Sequence, residues 1–216
     1  MTLLEKKALP ERIADVMRSR IIAGSLAPDT SIRQDLLAAE LGVSKIPVRE
    51  ALARLEQDGL IISQTNRGFF VAPLSVEDAY DVFALRLKIE PDAVAFGCER
   101  AGPTDHLFAR RALDALNAAI SGHTGDIGAC NRAFHLSLIR PGQRRVTLQI
   151  VERLHLLAER YIFKHLEYSS RNARAEAEHE GLLESWSKGD AKAAAAKTAT
   201  HIETTLADLT EQFNAG

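Results

Sequence analysis

The apolar residues of this chain follow one spacing, then another, then the first again, and these changes organise everything downstream. From Pro10 to Ala23, Ile13, Val16, Met17 and Ile21 recur at three- and four-residue steps. That spacing predicts an amphipathic helix, and Pro10 suits its first turn. Gly24 ends it. Arg33 to Leu41 repeats the pattern with Leu36, Leu37 and Leu41, and Gly42 follows where a helix end favours positive φ. Ser44 is placed to cap the next helix, its hydroxyl accepting from an unpaired backbone N–H. Pro47 falls in that helix's first turn, and Val48, Ala51, Leu52 and Leu55 form its buried stripe. After Asp58-Gly59 the residues turn β-prone. Leu60-Ile61-Ile62-Ser63 and Phe69-Phe70-Val71 flank the polar turn Gln64–Gly68, which predicts a hairpin.

From Ser75 onward the spacing is helical throughout. Ser75 with Asp78 resembles a capping box, Asp standing for the usual Glu. The helix runs through Val82, Leu85, Leu87 and Ile89. Pro91 should bend or break it, because it removes a donor and crowds the preceding turn, and a continuation reaches about Arg100. Gly102-Pro103-Thr104 opens a second helix ending near Ser121-Gly122, and Gly125-Asp126 a third reaching Ile139. Pro141-Gly142 precedes a long helix from about Arg144 to Glu167. Two more, about 171–187 and 190–213, are divided by Lys188-Gly189-Asp190. Six helices with short connections predict an antiparallel bundle. The fold expected is mainly α, with residues 1–74 as a winged helix-turn-helix domain and residues 75–216 as an all-helical domain.

Charge changes the picture only by position. The formal net charge is −2; residues 1–74 carry ten Lys and Arg against nine Asp and Glu, net +1. Any nucleic-acid affinity must therefore come from where a few cations sit rather than from a basic domain. Cys98 and Cys130 are too few for a disulfide framework, so a reducing cytoplasm is expected. No stretch approaches the ~20 consecutive apolar residues of a membrane span, and the first residues lack the apolar core of a signal peptide.

Candidate chemistry lies in two places. Lys45, Ile46 and Arg49 fall opposite the buried stripe near the start of their helix, the end that a recognition helix presents to base edges in the major groove. Arg67-Gly68 lies at or beside the hairpin tip, suited to a phosphate or a minor groove. The second place is the bundle, since all seven histidines follow residue 105. Asn131 and His135 are i and i+4 on one helical face. His179 adjoins the buried-stripe residues Leu182 and Leu183, and His201 follows Ala194 and Thr198 on the last helix. Three such histidines could converge on one ion such as Zn or Ni, or could be ordinary core and surface residues. His106, His123, His155 and His165 show no comparable arrangement and read as core or surface.

The run Val43-Ser44-Lys45-Ile46-Pro47-Val48-Arg49-Glu50-Ala51-Leu52, with Arg54-Leu55-Glu56, Gly59-Leu60 and Arg67-Gly68-Phe69-Phe70-Val71, resembles the winged helix-turn-helix of the GntR family of bacterial transcription regulators over about residues 9–73. The resemblance implies DNA contacts from Arg33, Ser44, Lys45, Ile46, Arg49, Arg67 and Gly68. The family usually has Arg-Thr where this chain has Lys45-Ile46. Lys keeps the charge without the guanine-reading fork, and Ile46 can only touch a thymine methyl, so a different operator is expected. Residues 75–213 resemble the helical effector domain of the FadR subfamily, the FCD domain, through Arg86 and Glu90, Phe134-His135, His179, Gly189-Asp190 with Ala193, and His201. Many members bind a divalent metal through one Asp and three His. The His positions map to His135, His179 and His201, and the Asp position is Asn131 here. The matching Arg of the family helps hold a carboxylate effector, which implies that role for Arg86; the competing reading is an ion pair between Arg86 and Glu90.

The expectation is thus a homodimeric repressor that binds an approximately palindromic operator and responds to a small carboxylate, with a divalent transition metal in the helical domain. Two rivals stay open. One keeps the DNA-binding module and gives the bundle a metal-free pocket for a larger ligand such as an acyl thioester. The other is a metal-dependent hydrolase, which would leave the winged helix unexplained.

Overall fold

The computed structural model describes residues 8–122, 127–165 and 169–215, without the side chains of 162–172 and 215. The expected start of the third bundle helix at Gly125-Asp126, together with His123 and the His165 side chain, lies outside what is described. The chain forms two compact units that divide between Leu74 and Ser75.

In the first unit α1 (Leu9–Ile22), α2 (Gln34–Leu41) and α3 (Lys45–Gln57) pack over a small sheet. Val48, Ala51, Leu52 and Leu55 are completely buried, as their spacing predicts. Gly42 closes α2 with φ 65°, a left-handed conformation that glycine adopts without a Cβ penalty. Ser44 holds the N-cap position of α3, but its hydroxyl makes no capping hydrogen bond. Two expected core residues also face outward: Val16 on α1 is 42% exposed and Leu36 on α2 is 58% exposed. Each helical residue turns about 100°. The core-facing lines are Ile13, Ala14, Met17 and Ile21 on α1 and Leu37 and Ala38 on α2, and both exceptions lie well round the helix from them.

The hairpin is β2 (Ile61–Gln64) with β3 (Gly68–Val71), paired Ile61 to Val71 and Gln64 to Gly68. A short strand invisible to periodicity, β1 (Ser31–Ile32), adds to the other edge of β3. The order β1-β3-β2 ties the wing to the approach to α2. Gly68 takes φ +92° at the turn.

The second unit is a helical bundle of α4 (Val76–Cys98), α5 (Pro103–Gly122), α6 (Ile127–Ile139), α7 (Arg145–His165), α8 (Ser169–Ser187) and α9 (Ala191–Ala215). Ser75 caps α4 by accepting from the Asp78 backbone N–H at 2.9 Å. Pro91 does not break α4, which runs through it uninterrupted. An interior proline costs ~3 kcal/mol. Here α4 packs against α6, α7 and α9, and its flanking residues Phe83, Ala93 and Val94 are buried, so packing on three sides outweighs the local cost. At Gly97, α4 comes so close to the Leu138 carbonyl of α6 that a Cβ would collide with it. Trp186 of α8 is fully buried and donates its indole N–H to that same carbonyl at 3.1 Å.

Candidate metal centre and DNA-facing surface

The first turn of α3 carries its chemistry outward. Ser44, Lys45, Ile46 and Arg49 are exposed, Ile46 by 70%, while Val48 at the intervening position is buried. The helix has no acidic residue in that turn. Arg33, at the N-cap of α2, is exposed and 3.4 Å from the Asp35 carboxylate. In the wing, the Arg67 guanidinium stacks on Phe70, 5.3 Å from the ring centre, which holds the cation beside Gly68. The surface is thus a solvent-facing helix N-terminus with two cations and an isoleucine, plus one aromatic-backed cation on the hairpin.

In the second unit three elements each supply a histidine to one point. His135 comes from α6, His179 from α8 and His201 from α9, and all three are buried. One ring nitrogen from each lies within 4.8 Å of the others. The His179 and His201 rings have centres 4.6 Å apart, with their Nε2 atoms at 3.3 Å, and His135 stacks on His201 at 5.2 Å. The Nδ1 of His201 donates to the Glu178 carboxylate at 2.7 Å. In a neutral ring that leaves Nε2 as a bare lone pair aimed at the cluster. Both nitrogens of His135 and the Nδ1 of His179 are buried without a hydrogen-bond partner.

Burial, and then the positive charge of neighbouring rings, pushes the His135 and His179 imidazoles well below their ordinary value; for His135 the Arg86 guanidinium adds to this. Neutral imidazoles, each with one lone-pair nitrogen, in a set held by a carboxylate behind it, are what a transition-metal ion requires. The residues fit such an ion. Asn131, one helical turn before His135 on α6, is also buried.

Two family models match the chain: the FCD domain over residues 81–204 and "Bacterial regulatory proteins, gntR family" over residues 9–71. The chain belongs to the GntR family, with an FCD domain. This GntR-family protein is a DNA-binding transcription regulator, not an enzyme. It is similar to the uncharacterized HTH-type transcriptional regulator YdhC of Bacillus subtilis, with 27% identity covering 86% of this chain and 84% of YdhC. It is 29% identical to the HTH-type transcriptional repressor GlaR of Escherichia coli, over 68% of this chain and 69% of GlaR. Among solved structures, E. coli McbR/YncC superposes with a TM-score of 0.83 at 21% identity, covering 95% of this chain and 99% of that one, a likeness of fold.

The remaining candidate residues of this regulator lie in buried ion pairs near the histidines. Arg86 is only 2% exposed, and its Nε and Nη2 donate to the two Glu90 oxygens at 2.6 and 3.3 Å. The structure thus has the Arg86–Glu90 ion pair that competed with an effector role, and Nη1 takes no part in it. His155, read from sequence as a core or surface residue with no comparable arrangement, is a core residue, and packing adds it to the cluster. It is 1% exposed, its Nε2 lies 3.2 Å from Glu90 Oε2, and its ring is 5.2 Å from that of His135. A signal was available, because Val151, His155 and Ala158 lie at helical spacing on the buried face of α7. Burial alone would raise the Glu90 carboxyl, but Arg86 and His155 overcome it and bring it down to about 2. Arg132, next to Asn131, forms an ion pair with Glu159 of α7.

Proposed function

We propose that this regulator binds an approximately palindromic operator as a homodimer, and that a small carboxylate metabolite bound in the FCD domain relieves repression. The recognition surface would be Lys45, Ile46 and Arg49, with Ser44 and Arg33 beside them and Arg67-Gly68 reaching the backbone or minor groove. Two-fold symmetry of the dimer would be mirrored in the operator. A repressor role agrees with the name of GlaR, a relative over two thirds of its length.

The metal ligands would be His135, His179 and His201, with the Asn131 amide oxygen as a fourth. The observation that carries this reading is the convergence of three buried rings with partnerless nitrogens. A divalent ion held there supplies electrostatic attraction for an anionic ligand. With four neutral ligands none of its charge is cancelled, so the pull on a carboxylate is stronger than beside an aspartate. Glu178 keeps His201 oriented. Arg86 would meet the effector through Nη1 while Glu90 holds its other two nitrogens. The coupling to operator affinity is expected at ~1–3 kcal/mol.

Metal content per chain, measured on untagged protein never exposed to chelator, tests the site. Near one equivalent of a transition metal is expected, lost on His179→Ala. No metal even after reconstitution would overturn the metal reading and leave a pocket for a larger ligand. For the DNA surface, Arg49→Ala should weaken operator binding by about 1–3 kcal/mol in fluorescence anisotropy. Unchanged specific affinity would remove Arg49 from the recognition set.

A further inference from the structure

The histidine cluster continues past His135 into a second group that the metal reading above does not use. We infer that Glu90, His135 and His155 form a second divalent-cation position in the bundle, sharing His135 with the first. One ligand atom from each of these three residues lies within 4.8 Å of the others, and all three side chains are buried. They come from α4, α6 and α7, so the group is assembled by packing rather than by a local motif.

Two observations point to a ligand rather than to a closed hydrogen-bond network. Both nitrogens of His135 lack partners; the single lone pair of the neutral ring serves one position at a time, and filling both at once releases its N–H proton to solvent and leaves a bridging imidazolate. The Nδ1 of His155 is also buried without a partner, although its Nε2 reaches Glu90. Ligating histidines ordinarily donate their second nitrogen to something. One ring nitrogen of His135 has a ligand atom of Glu90 and one of His155 within 4.8 Å.

The chemistry of the two sets differs. The first offers three imidazoles, which suit Zn, Ni or Cu. The second offers two imidazoles and one carboxylate, a set that also accepts harder ions such as Fe(II) and Mn. It is the set with a formal negative charge, and Asn131 supplies none to the first. Arg86 works in both directions. It keeps the Glu90 carboxylate in place through two hydrogen bonds, and its own charge opposes a cation. The second position is therefore expected to bind more weakly than the first.

The test uses full-length protein stripped of metal and titrated with Co²⁺, read by visible absorption and calorimetry. The variant His179→Ala/His201→Ala removes two ligands of the first position and none of the second. It should still bind about one Co²⁺ per chain, with a spectrum different from the wild type. Adding His155→Phe should weaken that binding by roughly tenfold or more; it leaves the Arg86–Glu90 pair intact, which Glu90→Gln would not. His155→Phe alone should leave the Co²⁺ bound by the other three histidines. If the double variant is folded by circular dichroism and binds no Co²⁺ while the wild type does, the second position is overturned and the first stands. If the wild type binds none and the double variant also binds none, both fall. Residual binding that survives His155→Phe overturns the assignment to this group.

Discussion

At the residue scale, the chemistry proposed for the FCD domain turns on side chains that are neutral where charge would be expected. Asn131 stands at the position where the family resemblance implies an aspartate. Asn131→Asp should tighten metal binding on the order of tenfold and weaken the anionic effector. Competition against a chromophoric chelator measures the first effect and effector titration the second; two unchanged affinities would show that residue 131 is outside the coordination sphere. Burial and neighbouring charge depress the His135 and His179 imidazoles in the folded state. An unfolded imidazole titrates near 6.5, so below that pH the unfolded chain takes up protons that the folded one refuses. Stability of the metal-free protein should therefore be full above about pH 6.5 and decline as pH falls through the window beneath it. Urea midpoints at pH 7.5 and 5.5 would register this, and His135→Phe should reduce the slope. A midpoint independent of pH in that range would contradict the buried, neutral state of these rings.

At the element scale, α4 holds the second unit together. It contacts α6, α7 and α9, and it carries Arg86 and Glu90 one turn apart into the interior. Its fit against α6 rests on Gly97, whose missing side chain lets the Leu138 carbonyl approach. Alanine is the better helix former by ~0.8–1.0 kcal/mol, yet Gly97→Ala should destabilise by about 1–3 kcal/mol, because the clash is with backbone that cannot rotate away. Thermal or urea unfolding decides the sign; a stabilised variant would mean that α4 and α6 can separate freely. The same packing explains the intact helix through Pro91. One lost hydrogen bond is a local cost, whereas breaking α4 would expose Phe83, Val94 and their neighbours together.

At the scale of the whole molecule, DNA binding comes from a chain of net charge −2. Attraction must therefore be local; in the proposed recognition surface it comes from the cations of α3 and the wing, doubled if two chains bind together. Operator affinity should fall steeply with salt, in proportion to the phosphates neutralised, and sedimentation should give a dimer. A log–log salt slope near zero would be incompatible with the DNA surface drawn from Lys45, Arg49 and Arg67. No described helix is long and apolar enough to cross a membrane.

The sequence by itself determined the kind of every bundle and winged-domain helix and of both hairpin strands, and most of their extent. Helical spacing, Gly42, Ser75 and the β-prone runs around Gln64–Gly68 act within a few residues, so they can be read one segment at a time. His135, His179 and His201 were also legible as a group, through helical spacing from Asn131, Leu182 and Thr198 and through the family resemblance. Tertiary structure decided what depends on neighbours distant in the chain. It turned Leu36 and Val16 outward, kept α4 whole across Pro91, and added β1 to the wing through pairing with β3. It also brought His155 and Glu90 against His135, from helices 65 residues apart in sequence at their contact. Periodicity reports which face of a helix is buried, but only packing determines which other helix that face meets.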